Sequence, residues 1–218
     1  MNKVKAVIFD MDGVIFDTEA VWKKAFLQAN VIYGLTALTE EYRASICGKK
    51  EATIREELKL MHPEAKVDEY RDYMLSYVKE AVSSGNYEIK PHAVEILTYL
   101  RNRGYKVALA TSSHRDRAEM MFKNKGLDLS NHFDATIFAD DLQGKSKPDP
   151  TIFLLASEKL GVLPGESYVI EDSINGIEAA VRGGFMPIMA VDLIEPDQYC
   201  YDNCKKIIRS LRELEALI

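Results

Sequence analysis

Cysteine is scarce in this sequence: Cys47, Cys200 and Cys204 are its three thiols among 218 residues. An odd, low number argues against a disulfide framework and fits a reducing compartment. Cys200 and Cys204 have no neighbouring cysteine or histidine, so two thiols near a helix start are expected rather than a metal pair. Long hydrophobic runs are lacking too. None approaches the roughly twenty apolar residues of a membrane helix. The run over residues 6–9 is too short for a signal-peptide core and ends in an acid. A cytoplasmic protein is expected. Positive charge is not in excess: 28 Lys and Arg face 34 Asp and Glu, a formal net charge of -6. Such a surface has no general attraction for nucleic acid or an anionic membrane. An anionic substrate would need a local cationic site. Internal repeats and low-complexity tracts are missing as well.

What is present is an ordinary folding composition, 47% hydrophobic and 28% charged, on a chain long enough for a core plus a smaller insert. Residues 3–9 read as a buried strand, and 106–110, 135–138, 168–170 and 187–191 read alike. Helical patterns separate them. Ala93, Ile96, Leu97 and Leu100 repeat at helical spacing before Gly104, and a helix over 114–125 stops before Gly126. Asp149-Pro150 reads as a helix start with Asp149 as cap and Pro150 at the first helical position. Alternation of strand and helix predicts an α/β fold with a doubly wound, Rossmann-like parallel sheet, with sites at the carboxyl ends of its strands. Residues 17–86 interrupt the alternation with helix after helix. They predict a small α-helical cap domain inserted after the first strand, the core being residues 1–16 and 87–218. Phe16-Asp17 and Ser84-Gly85 are the expected hinges.

The chemistry concentrates at strand ends. Asp10-Met11-Asp12-Gly13-Val14 follows the first strand, and residues two apart at a strand end point the same way. Asp10 and Asp12 would share a pocket, one attacking phosphorus and the other handling a proton. Gly13 permits a tight turn beside them. The alternative is a solvated acidic turn. Thr111-Ser112-Ser113 ends another strand, where hydroxyls and N–H groups suit phosphate oxygens. Ser113 could equally cap the next helix. Glu171-Asp172-Ser173 ends a third, and paired acids there suit a hard cation such as Mg2+. Lys147, just before Pro148-Asp149-Pro150, could reach the same pocket and neutralise phosphoryl charge. Gly144-Lys145-Ser146 is no phosphate-binding loop of the P-loop kind, because Ala139 stands where its first glycine belongs.

These four motifs, in this order, resemble those of the haloacid dehalogenase-like hydrolase superfamily. Phe9-Asp10-Met11-Asp12-Gly13-Val14 and Ser146-Lys147-Pro148-Asp149-Pro150 are similar to its β-phosphoglucomutase and phosphoglycolate phosphatase branch. The likeness spans nearly the whole chain. It implies a Mg2+-dependent phosphatase of a small phosphorylated metabolite, often monomeric. Asp10 would form an aspartyl-phosphate and ligate the metal. Asp12 would be general acid and then base, and ligate through its backbone carbonyl. Thr111 with Ser112 and Ser113 would hold the phosphoryl group, Lys147 would balance charge, and Glu171 and Asp172 would complete the metal site.

The cap departs from the branch. Where β-phosphoglucomutase has a histidine, an arginine and a lysine, this sequence has Trp22, Glu51 and Cys47, although Lys49 and Lys50 lie close by. A mutase grips a second phosphate with cap cations, so phosphatase is preferred and mutase is the runner-up. Trp22 and Lys49 are the cap residues expected to face substrate, packing being the plainer role for Trp22. A phospho-accepting receiver domain has a comparable acid, hydroxyl and lysine set but needs about half this length.

Overall fold

The computed structural model describes residues 4–46 and 49–218. Cys47, one of the three cap positions compared above, lies outside them. The chain divides into two compact units, one of residues Met1–Asp17 with Glu88–Ile218 and one of Thr18–Tyr87.

The first strand, β1 (Ala6–Phe9), is buried at every position, and β2 (Phe16–Asp17) follows one tight loop later. The second unit then runs through α1 (Thr18–Ile32), α2 (Glu40–Ser45), α3 (Glu51–Met61) and α4 (Val67–Ser83). Back in the first unit come β3 (Glu88–Ile89), α5 (Ala93–Asn102), β4 (Lys106–Ala110), α6 (Arg115–Asn124), the single turn α7 (Leu129–His132) and β5 (Ala135–Ile137). After them come α8 (Thr151–Leu160), β6 (Ser167–Glu171), α9 (Ile174–Arg182), β7 (Met186–Ala190), α10 (Gln198–Asn203) and β8 (Lys206–Ile208).

Six strands form one parallel sheet in the order β5-β4-β1-β6-β7-β8. Parallel strands covered on both faces read as continuous apolar runs, which is why β1, β4 and β6 carry almost no polar alternation. Ala6, Ile8, Ala108 and Ala110 turn one face toward Phe153 and Ala156 of α8. Alanine on the strands leaves room for the ring on the helix, an exchange of small for large that keeps the layer dense.

β1 has β4 on one side and β6 on the other. The chain leaves β1 toward one edge and later returns to the opposite edge, so a crevice opens at the carboxyl end of β1. Register aims the chemistry there. Phe9 stands opposite Leu109 and Ile170, so the residues that follow each strand come level with one another.

Several expected boundaries shift. β1 begins at Ala6, and the helix after the lysine loop starts at Thr151, with Pro150 as its cap residue. Asp149 still serves that start, since its Oδ1 accepts the Thr151 N–H at 2.9 Å. The edge strand β8 and the antiparallel pair β2–β3, with Phe16 opposite Ile89, were not anticipated from the sequence. Two- and three-residue strands are too short to show a period.

The helical unit has its own polar lock. The buried Tyr70 hydroxyl donates to Asn30 Oδ1 at 2.8 Å, and Asn30 Nδ2 donates to the Leu38 carbonyl at 3.3 Å. Tyr70→Phe strips Asn30 of its donor in an apolar setting. A loss of about 1–3 kcal/mol is expected, read from denaturant unfolding followed in this unit.

Candidate active site

Asp10 follows β1 directly and is buried, its N–H donating to the Ile170 carbonyl at 3.0 Å. Lys147 arrives from the loop before α8. Its ammonium donates to Asp10 Oδ1 at 2.5 Å and to Glu171 Oε1 at 2.5 Å, and lies 5.2 Å from the centre of the Phe153 ring. The three sequence-expected groups therefore meet although 137 and 24 positions separate them from the lysine. Burial pushes the Asp10 carboxyl up to about 7, with Glu171 and Asp12 adding to the rise and Lys147 acting against it. Burial by itself would pull Lys147 down, but Asp10 and Glu171 outweigh it and hold the ammonium above its ordinary value.

Glu171 is held from behind. Its Oε2 accepts the Ser173 N–H at 2.8 Å and the Ser173 hydroxyl at 2.9 Å. Ser173 also caps α9, its Oγ accepting from the Gly176 N–H at 3.1 Å. A Cβ on Gly176 would come within 1.9 Å of the Glu171 carboxyl, so the helix can back this carboxylate only with glycine there. Gly13 serves Asp172 in the same manner. Its φ is 75°, and a Cβ on it would lie 2.1 Å from Asp172 Oδ2.

Asp192, two residues past β7, was not singled out from the sequence, although an acid after a strand is the signal that marked Asp10. Its Oδ1 accepts from Lys90 Nζ at 2.6 Å. Its Oδ2 is buried without a hydrogen-bond partner, 3.2 Å from where a Gly13 Cβ would stand. Asp172 is driven well above the usual carboxylate range, first by burial and then by Glu171, Asp10 and Asp192.

Thr111 is buried at the end of β4, its Oγ1 accepting the Ser113 N–H at 3.0 Å. Ser113 does not cap α6, as one sequence reading allowed. His114 is the cap residue, and the Ser113 hydroxyl donates to Asp12 Oδ2 at 3.0 Å. Arg117 joins them, and no spacing signal marks it: it is one of two arginines in the first turn of α6. Trp22 and Lys49 belong to the helical unit. Trp22 is half-buried on α1, and Lys49 is exposed and paired with Glu57 at 2.8 Å.

A divalent cation is implied by the motifs, and its fit follows from charge and donor chemistry. Five carboxylates (Asp10, Asp12, Glu171, Asp172 and Asp192) occupy these strand ends against Lys147, Arg117 and Lys90. Asp172 forms no ion pair among the described residues, and Asp192 Oδ2 is orphaned. All are hard oxygen donors, as Mg2+ prefers. Among the described residues no three such side chains converge at ligating distance, and the Lys147 ammonium pairs with both Asp10 and Glu171. The donor set fits Mg2+ in chemistry and charge, with Asp172 the candidate donor least engaged elsewhere.

The haloacid dehalogenase-like hydrolase family matches residues 4–184. A phosphorylated carbohydrates phosphatase of Thermotoga maritima is 35% identical over 191 residues, which cover 86% of this chain and 85% of that protein. A crystal structure from Thermotoga maritima, provisionally assigned as a beta-phosphoglucomutase, is 28% identical with a TM-score of 0.76, covering 99% of this chain and all of that one. A haloacid dehalogenase-like protein of Agrobacterium tumefaciens shares the fold at a TM-score of 0.81 and 21% identity, over 98% of this chain and 97% of its own. The chain thus belongs to the haloacid dehalogenase-like hydrolases, as an enzyme of their phosphoric monoester hydrolase class.

A measurement on the charge imbalance follows. Because the folded-state value of Asp172 is raised, the folded protein binds that proton more tightly than the unfolded chain. This group's contribution therefore declines as pH rises above the ordinary carboxylate range, and a cation on the ionised form restores it. Saturating Mg2+ at pH 8 is expected to raise Tm by roughly 5–10 °C. In Asp172→Asn the rise should vanish while the metal-free Tm is no lower than in the parent. A full Mg2+ response in that variant would refute the assignment.

Proposed function

We propose that this enzyme is a Mg2+-dependent phosphatase of a small phosphorylated metabolite, a sugar phosphate foremost, working through an aspartyl-phosphate on Asp10. One observation carries the reading: the Lys147 ammonium, on a side chain 10% exposed, bridging the buried Asp10 and Glu171 at the crevice beside β1. A carboxylate kept in a dry site beside a fixed cation is weakly solvated and aimed, which is what a nucleophile toward phosphorus needs.

In this mechanism Asp10 Oδ attacks the substrate phosphorus in line. The bond from phosphorus to the ester oxygen breaks, and Asp12 gives that oxygen its proton. Water then attacks the phosphorus of the aspartyl-phosphate, Asp12 takes the water's proton, and the bond to Asp10 breaks. Inorganic phosphate leaves and Asp12 is protonated for the next cycle. Lys147 screens the incoming phosphoryl oxygens from Asp10. Thr111, with Ser112 and Ser113, offers hydroxyl and N–H donors to them. Bound at Asp10, the Asp12 carbonyl and Asp172, with Glu171 alongside, Mg2+ would supply neutralisation of phosphoryl charge. Residues 17–86 are assigned as the cap that excludes water and selects the leaving group, hinged at Phe16-Asp17 and Ser84-Gly85, with Trp22 and Lys49 its substrate-facing candidates. No described helix is long and apolar enough to cross a membrane. A cytoplasmic monomer completes the proposal.

The sugar preference leans on the Thermotoga maritima phosphatase, whose name specifies phosphorylated carbohydrates. The mutase remains the second reading because of the provisional beta-phosphoglucomutase at 28% identity. The cap's own pairing favours hydrolysis. Glu51, at a position where the mutase has an arginine, holds Arg71 in two hydrogen bonds at 3.0 and 2.7 Å and also takes Arg55 at 3.0 Å. Lys49 is likewise matched by Glu57. Cations already paired with carboxylates are poorly placed to grip a second phosphate.

Phosphate release from a panel of sugar phosphates, phosphoglycolate and nucleotides should appear with Mg2+ and fall by on the order of 10³-fold or more in Asp10→Asn. Near-parental turnover in that variant would end the nucleophile assignment. Given β-glucose 1-phosphate with a trace of the 1,6-bisphosphate, the enzyme is expected to release phosphate. Conversion to glucose 6-phosphate would instead establish the mutase.

A further inference from the structure

Asp12 is held more firmly than its place at a strand end requires. Arg117 Nη1 donates to Asp12 Oδ2 at 2.8 Å and Arg117 Nη2 donates to Oδ1 at 2.8 Å. The Ser113 hydroxyl adds a third donor on Oδ2 at 3.0 Å, and Arg117 Nη1 donates to Ser113 Oγ as well. Two parallel N–H donors on one carboxylate fix its plane as well as its position, which a lysine ammonium cannot do.

The source of the guanidinium matters. Arg117 is the third residue of α6, close behind the Thr111-Ser112-Ser113 loop. Cations are disfavoured in the first turn of a helix, where the dipole is positive. The Asp12 carboxylate offsets that cost and gains a rigid mount in return. Both side chains keep about a third of their surface, 32% for Arg117 and 34% for Asp12, so the pair lies at the open side of the site. A surface ion pair worth a few tenths of a kcal/mol is the plain alternative. Bidentate geometry closed by a third polar group distinguishes this pair.

Resting on the reading of Asp12 as the proton-handling residue, we propose that Arg117 is a positioning residue. It fixes the direction of the Asp12 carboxylate toward the ester oxygen and ties that aim to the loop that holds the phosphoryl group. The role is specific to the leaving group. Esters whose leaving oxygen needs a proton should depend on Arg117, and an activated aryl ester should not.

The test compares kcat/KM for glycerol phosphate and for p-nitrophenyl phosphate with Mg2+ in Arg117→Gln, Arg117→Lys, Asp12→Asn and the double variant Asp12→Asn/Arg117→Gln. Arg117→Gln should lose about 10- to 100-fold on glycerol phosphate. On the aryl ester it should lose less than about threefold. Arg117→Lys should fall between, and the double variant should be no worse than Asp12→Asn on glycerol phosphate, since removing the aim of an absent acid costs nothing further. Equal losses on both esters, or additive losses in the double variant, would overturn the proposal. If Asp12→Asn does not itself separate the two esters, the proton-handling reading fails. If it does and Arg117→Gln does not, only the positioning role fails. Should the glutamine variant not fold, the lysine variant carries the same comparison.

Discussion

The site is organised by one ammonium shared between two buried carboxylates. Lys147 draws two carboxylates from different strands to hydrogen-bonding distance of one nitrogen. Without it, Asp10 and Glu171 would face each other in a dry crevice with no cation between them, and the burial that pushes the Asp10 carboxyl up would lose its main opponent. With it, one ammonium donates to both carboxylates and opposes the rise that burial imposes on Asp10. A lone buried ion pair adds little net stability once desolvation is counted. The arrangement therefore makes more sense as preparation for chemistry than as a brace for the fold.

Topology explains why that preparation sits beside β1. The chain departs from β1 toward β4 and later returns beside it at β6, so the strand order reverses at β1. Register then levels Asp10 with the ends of both neighbours. Thr111 and Glu171 flank it without any loop having to reach. Lys147 is the exception, carried in by the loop before α8, whose first turns also supply the Phe153 ring beneath the ammonium.

Much of this was legible in the chain. Buried parallel strands announce themselves as unbroken apolar runs, and an acid or hydroxyl after each run marks the face where ligands bind. That logic located Asp10, Thr111, Glu171 and Asp172 at strand ends and predicted the doubly wound α/β fold. It missed Asp192, which follows the apolar run over 187–191 and obeys the same rule. It could not find Arg117 or Lys90, because long cationic side chains recur along the surface and only a three-dimensional partner singles one out. Gly176 was illegible for a related reason. Its need for no Cβ arises from the Glu171 carboxyl lying against the helix, a contact that sequence spacing does not encode. The β2–β3 pair escaped because two residues carry no period.

The distribution of cations over carboxylates has a consequence of its own. Lys147 serves Asp10 and Glu171 together, Arg117 takes Asp12, and Lys90 takes one oxygen of Asp192. Each of these three is a side chain of fixed reach, so none can shift to Asp172 without abandoning its own partner. Asp172 lies against Gly13 with Asp192 Oδ2 near the same point, and burial, then Glu171, Asp10 and Asp192, hold it above the usual carboxylate range. A protein could have relieved this with another lysine. On the proposed Mg2+ dependence, leaving the imbalance in place would favour a small, exchangeable, doubly charged ion over a permanent side chain. Such an ion can share its coordination with an incoming phosphoryl oxygen, which an ammonium, limited to hydrogen bonds, does not do. In the proposed mechanism the charge imbalance at Asp172 and the rigid mount of Asp12 are complementary: one carboxylate is left to be satisfied by what binds, and the other is satisfied in advance so that it points where the leaving oxygen would be.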